Sequence, residues 1–119
     1  LVSLQGDIHH LFPKDYLKKN DYDRRYYNQI ANFVYMQSEI NIRVGNKSPK
    51  DYFGIVKSQI ENGNQTISGI SSYTELLENL KYNCIPAEIM DMDYNNFDEF
   101  LLLRRKLISH KIRDYYFSL

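Results

Sequence analysis

Residues 6–13 read Gly-Asp-Ile-His-His-Leu-Phe-Pro and place two of the three histidines of this 119-residue chain side by side. Neighbouring residues of a regular strand point to opposite faces of the sheet. His9 and His10 can therefore serve one site only where the strand ends, and Pro13 favours such an end because proline cannot donate a hydrogen bond within a sheet. At one phosphate, a histidine pair can divide two tasks, because one imidazole binds a metal ion while the other accepts a proton from water.

A small antiparallel hairpin is predicted around this pair. The first strand is expected over residues 2–9, with Gly6 at a bulge. The second strand is expected over residues 33–36, within an apolar segment that begins at Ile30. The charged and tyrosine-rich residues 14–31 between the strands are expected to form helix or mixed loop. A long insertion is tolerated there because the cost of loop closure grows slowly with length.

Helices are predicted for most of the remaining chain. A short helix is expected from Ser38 to about Val44, where Gly45 ends it. Four further helices are expected. They are residues 49–62, a helix capped by Ser72 with Leu76, Leu77 and Leu80 inward, residues 86–90, and a long final helix that starts at Asn95 or Asn96 and runs toward Phe117. A two-stranded hairpin is marginal alone, so the helices from Pro49 onward are expected to support it. The predicted fold class is α+β, mostly α.

The last predicted helix has an apolar stripe. The residues on this stripe, expected to face the core, are Phe97, Leu101, Ile108, Ile112 and Tyr115. The basic run Arg104-Arg105-Lys106 is expected to lie largely outside the stripe and to be solvated.

Composition indicates one globular domain over residues 1–119. The mean hydropathy is −0.55, no apolar run has the length of a membrane span, and no signal peptide opens the chain. A cytoplasmic protein without a membrane partner is therefore expected. The single cysteine, Cys84, cannot form an internal disulfide or a zinc cluster. Because the chain begins Leu1-Val2-Ser3 without an initiator methionine, it is expected to be the C-terminal fragment of a longer protein.

The charge is unevenly divided, although the formal net charge is zero. Residues 1–60 hold nine Lys or Arg against six Asp or Glu, which gives +3, and the remainder is therefore −3. The positive excess lies with the histidine pair, as binding to phosphates requires, but a bias of this size is weak evidence alone.

The order of the motifs resembles a known nuclease family. A strand ending in His-His, a loop, a strand opening at Asn32 and a helix carrying Asn41 resemble the HNH, or ββα-metal (His-Me finger), motif over about residues 2–47. Residues 45–53 and 100–108, together with His-His-Leu-Phe-Pro-Lys, resemble the C-terminal nuclease domain of two-part modification-dependent (type IV) restriction endonucleases. This likeness covers nearly the whole chain and makes the helices of residues 48–119 the support of the metal finger.

The resemblance implies roles for four residues in phosphodiester hydrolysis. His10 is the expected general base, and Asn32 is expected to hydrogen-bond backbone across the loop and to hold His10 in place. His9 and Asn41 are the expected ligands of one divalent cation. Magnesium or manganese is expected, with nickel, cobalt or zinc as alternatives because the imidazole of His9 favours softer ions.

Three more residues are assigned around this site. Asp7 is two residues before His9 and thus on the same strand face, so it is either a further metal ligand or a partner that orients an imidazole. Arg43 and Lys47 flank Asn41 and are expected to bind DNA phosphates.

The implied function is a metal-dependent DNA endonuclease in the restriction of modified phage DNA. The resemblance implies two partners, DNA and an N-terminal nucleotide-hydrolysing domain. The nucleotide requirement cannot reside in residues 1–119, because they contain no glycine-rich phosphate loop. A homodimer is expected if both strands are cut. Two alternatives stay open: a catalytically silent helical module that binds DNA or a partner, and an RNA-cleaving, toxin-like nuclease.

Overall fold

The computed structural model describes residues 7–36, 45–63 and 69–119. In these ranges the chain forms one antiparallel hairpin and five α-helices. The strands are β1 (Asp7–His10) and β2 (Phe33–Met36), and the helices are α1 (Lys14–Lys19), α2 (Arg24–Tyr27), α3 (Pro49–Asn62), α4 (Tyr73–Tyr82) and α5 (Phe97–Phe117). Short 3₁₀ helices span Ile30–Asn32, Ala87–Asp91 and Tyr94–Asn96. The predicted α+β class with a mostly helical chain is confirmed at this level.

Parts of the prediction fall outside these ranges. The predicted helix from Ser38 to Val44 and residues 2–6 of the predicted first strand lie outside the described residues. The first strand extends one residue further than predicted, to His10.

The hairpin register separates its side chains into two faces. His9 pairs with Val34 and His10 pairs with Phe33. Val34 is buried, whereas Ile8 and Tyr35, on the other face, are exposed. His9 therefore lies on the inner face of the hairpin, and His10 lies on the outer face at the strand end.

The helices begin and end where their capping residues predict. The Ser48 hydroxyl accepts a hydrogen bond from the backbone N–H of Asp51 at the start of α3, and Ser72 does the same for Glu75 at the start of α4. Gly63 ends α3 in the left-handed conformation, with φ of +74°.

The core lies between the loop after β1 and the helices. The Phe12 ring is buried against Phe97 and Phe100 of α5, at centroid distances of 5.1 and 4.9 Å. Tyr52 and Phe53 of α3 are also fully buried. The helices thus enclose the segment that directly follows the histidine pair, so α3 and α5 hold this segment in place.

The predicted stripe of α5 is right for its first half and wrong for its second. Phe97 and Leu101 are buried, but Ile112 and Tyr115 are 63% and 68% exposed. After residue 104 the helix leaves the core, and within the described residues no element covers its final turns. Helical spacing predicts which residues share a face, but it does not predict where the neighbouring elements stop.

Two other expected orientations are wrong. Leu77, expected to point inward, is 51% exposed, because α4 contacts the core only through the face that carries Leu76 and Leu80. Arg104, expected in solvent, is only 5% exposed.

No α-helix in the described ranges combines the length and the apolar content needed to cross a membrane.

Replacing Tyr52 with Phe should lower the free energy of unfolding by about 1–2 kcal/mol. The buried Tyr52 hydroxyl donates a 2.5 Å hydrogen bond to the backbone carbonyl of Leu11, and the substitution leaves that buried acceptor without its donor. Urea denaturation measures the change. Tyr82→Phe is the control, since Tyr82 is 76% exposed. Equal stabilities of the two variants would contradict the expected contribution of this hydrogen bond.

The unfolding free energy should fall as the pH rises above about 10, the ordinary pKa of tyrosine. Burial raises the pKa of Tyr52, so the folded state retains a proton that the unfolded state releases. In Tyr52→Phe the decline should be shallower by up to about 1.4 kcal/mol per pH unit. Denaturation curves of both proteins between neutral and alkaline pH test this, and parallel declines would refute it.

Candidate functional site

His10 is held at the end of β1 by ring contacts and one hydrogen bond. Its imidazole lies edge-on to Phe33, at a centroid distance of 4.7 Å, and to Tyr27, at 6.4 Å. Its Nε2 lies 3.0 Å from Oδ1 of Asn28. A carbonyl oxygen only accepts, so Nε2 carries the proton and donates. In the neutral ring this leaves Nδ1 as the nitrogen with a lone pair, the form that a general base requires.

His9 differs from His10 in both position and surroundings. It lies on the inner face of the hairpin opposite Val34. Its Nε2 is buried and makes no hydrogen bond within the described part of the chain. Burying an unpaired polar atom costs about 1–3 kcal/mol. A metal ion bound to that nitrogen would offset this cost, so His9 fits the role of a metal ligand.

Asn32 locks the loop that follows His10. Its side chain is fully buried, and its Oδ1 accepts a 2.8 Å hydrogen bond from the backbone N–H of Phe12. Its Nδ2 donates to the carbonyls of Phe12 and Tyr27, both at 3.0 Å. The backbone carbonyl of Asn32 also accepts from the N–H of Leu11. These are backbone contacts of the kind that the resemblance implies for Asn32, and its contribution to catalysis stays a prediction.

Arg104 holds the segment around Asn32 from the other side. Its Nη1 donates to the carbonyls of Ala31, at 2.9 Å, and Phe33, the residues that flank Asn32. Its Nη2 and Nε donate to the carbonyls of Asn83 and Cys84, at 3.1 and 3.3 Å. One side chain of α5 thus joins the start of β2 to the end of α4.

Arg104 has no acidic partner among the described residues, and the end of α4 explains how its charge is accommodated. Cys84 has a φ of +56°, and the N–H of Ile85 donates to the carbonyl of Leu80 at 2.8 Å, which is the Schellman arrangement. The guanidinium therefore faces the negative end of the helix dipole and the carbonyls that the helix leaves free. Burial lowers the pKa of Arg104, but arginine stays protonated in proteins.

The remaining predicted site residues are only partly placed. Asn41 and Arg43 lie outside the described residues. Asp7 pairs with Met36 through its backbone, and its side chain is not described. Lys47 is exposed in the short segment before α3. The structure thus connects His10 to Asn32 through the loop, and it places His9 on the opposite face of the same hairpin.

No group of three or more His, Cys, Asp and Glu side chains that could together hold a metal ion is found in residues 7–36, 45–63 and 69–119. Of the three predicted ligands, His9 is the one whose side chain belongs to the described part of the chain.

Two residues that contribute to this site, Asn28 and Arg104, are not among the residues predicted from the sequence. Nothing in the sequence marks Asn28 as the partner of His10, because the two are 18 residues apart. Arg104 did carry a signal, since it follows Phe97 and Leu101 at the spacing of one helix face. The charge of Arg104 predicted exposure to solvent, whereas its position on the helix predicted burial. Arg104 is buried, as its position predicted.

The chain is similar to an archaeal protein that is itself uncharacterized. No protein-family profile matches the chain, and no solved structure matches it. An uncharacterized protein of Methanocaldococcus jannaschii is 31% identical over 117 residues, a match that covers 87% of the chain and 20% of that protein. The chain thus spans about a fifth of the length of this relative.

Replacing Arg104 with Met should lower the free energy of unfolding by roughly 3–5 kcal/mol. Methionine has a similar length and no donors, so four carbonyls lose a hydrogen bond in a largely buried environment. Chemical denaturation followed by circular dichroism measures this loss. Arg113→Met removes the same charge from an exposed position of α5 and should change stability by less than about 0.5 kcal/mol. Similar stabilities of the two variants would show that Arg104 contributes little.

Proposed function

We propose that the chain is a metal-dependent DNA endonuclease domain of the HNH type, which hydrolyses phosphodiester bonds in the restriction of modified phage DNA. The observation that carries the proposal is the environment of His10. Asn28 orients its imidazole at the strand end, and Asn32 locks the loop directly behind it. A merely incidental surface histidine needs neither arrangement.

The orientation of His10 suits it to accept a proton from water. Its Nε2–H donates to Asn28, so the lone pair of Nδ1 is available. When Nδ1 takes the proton, the imidazolium keeps its hydrogen bond to the Asn28 carbonyl oxygen, which then becomes stronger because the donor is charged. Asn28 thus both selects the tautomer and stabilises the product of the proton transfer.

We assign a divalent ion to His9, which faces the side of the hairpin opposite to His10. The ion and the base act on one phosphate only where that phosphate lies at the end of β1. His9 and Asn41 are the proposed ligands, with Asp7 as a further ligand or as a partner that orients an imidazole. The ion would supply positive charge to the leaving oxygen of the cleaved bond. The buried Nε2 of His9, which makes no hydrogen bond within the described residues, supports this assignment.

The ββα-metal finger is the fold that we propose for the region around the histidine pair. The hairpin of β1 and β2 provides the two strands of a ββα-metal finger, and its helix would be formed by residues outside the described ranges. Arg43 and Lys47 are proposed to contact DNA phosphates, and the exposure of Lys47 is compatible with that role. An N-terminal nucleotide-hydrolysing domain is the proposed partner. A similar segment makes up 20% of a longer archaeal protein, which is compatible with a chain that carries further domains.

A second candidate function is a catalytically silent module that binds a partner. The observation in its favour is the far end of α5, where Ile112, Tyr115, Tyr116 and Phe117 are all more than 60% exposed. Surfaces of this kind are enriched at protein interfaces. This candidate leaves the hydrogen bond between His10 and Asn28 without a role.

His10→Ala should reduce metal-dependent plasmid cleavage by at least about 100-fold, the usual lower range for a general base. Conversion of supercoiled to nicked or linear plasmid with Mg²⁺, Mn²⁺, Ni²⁺ or EDTA measures it. His110→Ala is the matched control, because His110 is exposed on α5, and it should cleave like the unchanged chain.

Two outcomes of this assay would contradict the proposal. Equal cleavage by both histidine variants would remove His10 as the base. Cleavage of RNA but not of DNA of the same sequence would replace the DNA endonuclease with an RNA-cleaving enzyme.

A further inference from the structure

A groove lies between the 3₁₀ helix Ile30–Asn32 and the exposed side of α5. Its volume is about 470 Å³, within the range of roughly 300–1,000 Å³ that is usual for ligand pockets. The residues that matter for its chemistry are Gln29, Ile30, Arg105, Ser109 and Ile112. We call it the Arg105 groove.

The guanidinium of Arg105 is fixed at the wall of this groove. Its Nη2 donates a 2.8 Å hydrogen bond to Oε1 of Gln29. Gln29 is itself anchored, since its Nε2 donates to the backbone carbonyl of Arg25 at 2.7 Å. One of the five N–H groups of Arg105 is used in this way, which leaves others for an anionic ligand. Holding the side chain in advance lowers the entropy cost of binding.

The charge of the Arg105 groove differs from that of the groove on the other side of α5. Among the described residues, Arg105 is the charged residue that lines the Arg105 groove, and no carboxylate of these residues does so. The other groove is lined by Lys81, Lys106 and Lys111, but also by Glu78, Glu88 and Asp114. An anion is therefore favoured in the Arg105 groove, whereas positive and negative charges balance in the other.

The Arg105 groove adjoins the candidate site through two consecutive residues. Asn28 bonds to His10, and Gln29 bonds to Arg105. Because the Cα atoms of adjacent residues are about 3.8 Å apart, one short segment carries both the hydrogen-bond partner of His10 and that of Arg105.

We propose that the Arg105 groove binds a nucleotide of DNA that flanks the bond positioned at His10. Arg105 contacts the phosphodiester, a ligand that guanidinium groups bind well. Ile30 and Ile112, which are 82% and 63% exposed, contact the sugar or the base. The choice of DNA as ligand rests on the proposed function, while the anionic and apolar character of the ligand follows from the groove.

Arg105→Ala should weaken binding of the chain to fluorescein-labelled DNA by about 5- to 10-fold and should reduce the slope of log affinity against log salt by about one. Fluorescence anisotropy in EDTA measures binding without metal-dependent cleavage. Lys106→Ala is the matched control, because it removes the same charge from the next residue, which lines the other groove. The affinity of the Lys106→Ala variant for DNA should stay within about twofold of that of the unchanged chain. A change of that size is what the loss of any one surface charge produces.

A second pair of variants tests the groove without removing a cation. Ile112→Glu introduces a negative charge into the groove and should weaken binding at least as much as Arg105→Ala. Leu102→Glu introduces the same charge at a position of α5 that is 53% exposed and does not line the groove, and it should have a smaller effect. Circular dichroism spectra of the four variants check that these exposed substitutions leave the fold unchanged.

Three results would overturn the proposal: no measurable DNA binding by the unchanged chain, equal effects within either pair of variants, or tighter Arg105-dependent binding of RNA than of DNA. The cleavage assay on His10 separates this proposal from the proposed function. If DNA binding depends on Arg105 but no metal ion supports cleavage, the proposed groove is retained and the proposed nuclease function is rejected. If cleavage depends on His10 but DNA binding does not depend on Arg105, the nuclease function is retained and the proposed groove is rejected.

Discussion

The buried guanidinium of Arg104 joins three parts of the chain that are far apart in sequence. It bonds to the carbonyls on both sides of Asn32 and to the two carbonyls that end α4, while its own backbone belongs to α5. Four main-chain acceptors satisfy one cation that has no carboxylate partner in the described residues. Such an arrangement is specific in geometry, because a planar fork of donors can meet these carbonyls in only one orientation.

A sequence of contacts leads from Arg104 to the candidate site. Arg104 positions the peptide groups around Asn32, the buried amide of Asn32 holds Phe12, and Phe12 lies two residues after His10. The helical part of the chain and the hairpin are therefore linked by hydrogen bonds as well as by the packing of Phe12 on α5. The segment Asn28-Gln29 adds a second link, because its two amides contact His10 on one side and Arg105 of α5 on the other.

Local patterns predicted most of the described elements. Ser48 with Pro49, Ser72 and Gly63 marked the ends of α3 and the start of α4, because capping depends on residues within one turn. Asn32 was selected from its position relative to His10, and it makes backbone hydrogen bonds across the loop. The burial of α5 was predicted correctly to Leu101 and wrongly at Ile112 and Tyr115, because the periodicity of a helix is independent of the length of the core beside it.

The sequence by itself determined the class of the fold, the limits of most of its helices, and the pairing of a strand that ends in two histidines with a strand that follows Asn32. These features depend on the spacing of capping and apolar residues that are close together in the sequence, and this spacing exists before the chain folds. Only the tertiary structure decided that His9 and His10 face opposite sides of the hairpin, that Asn28 orients His10 and that Arg104 is buried. Those contacts join residues up to 73 positions apart, and long-range hydrogen bonding is set by how the elements pack.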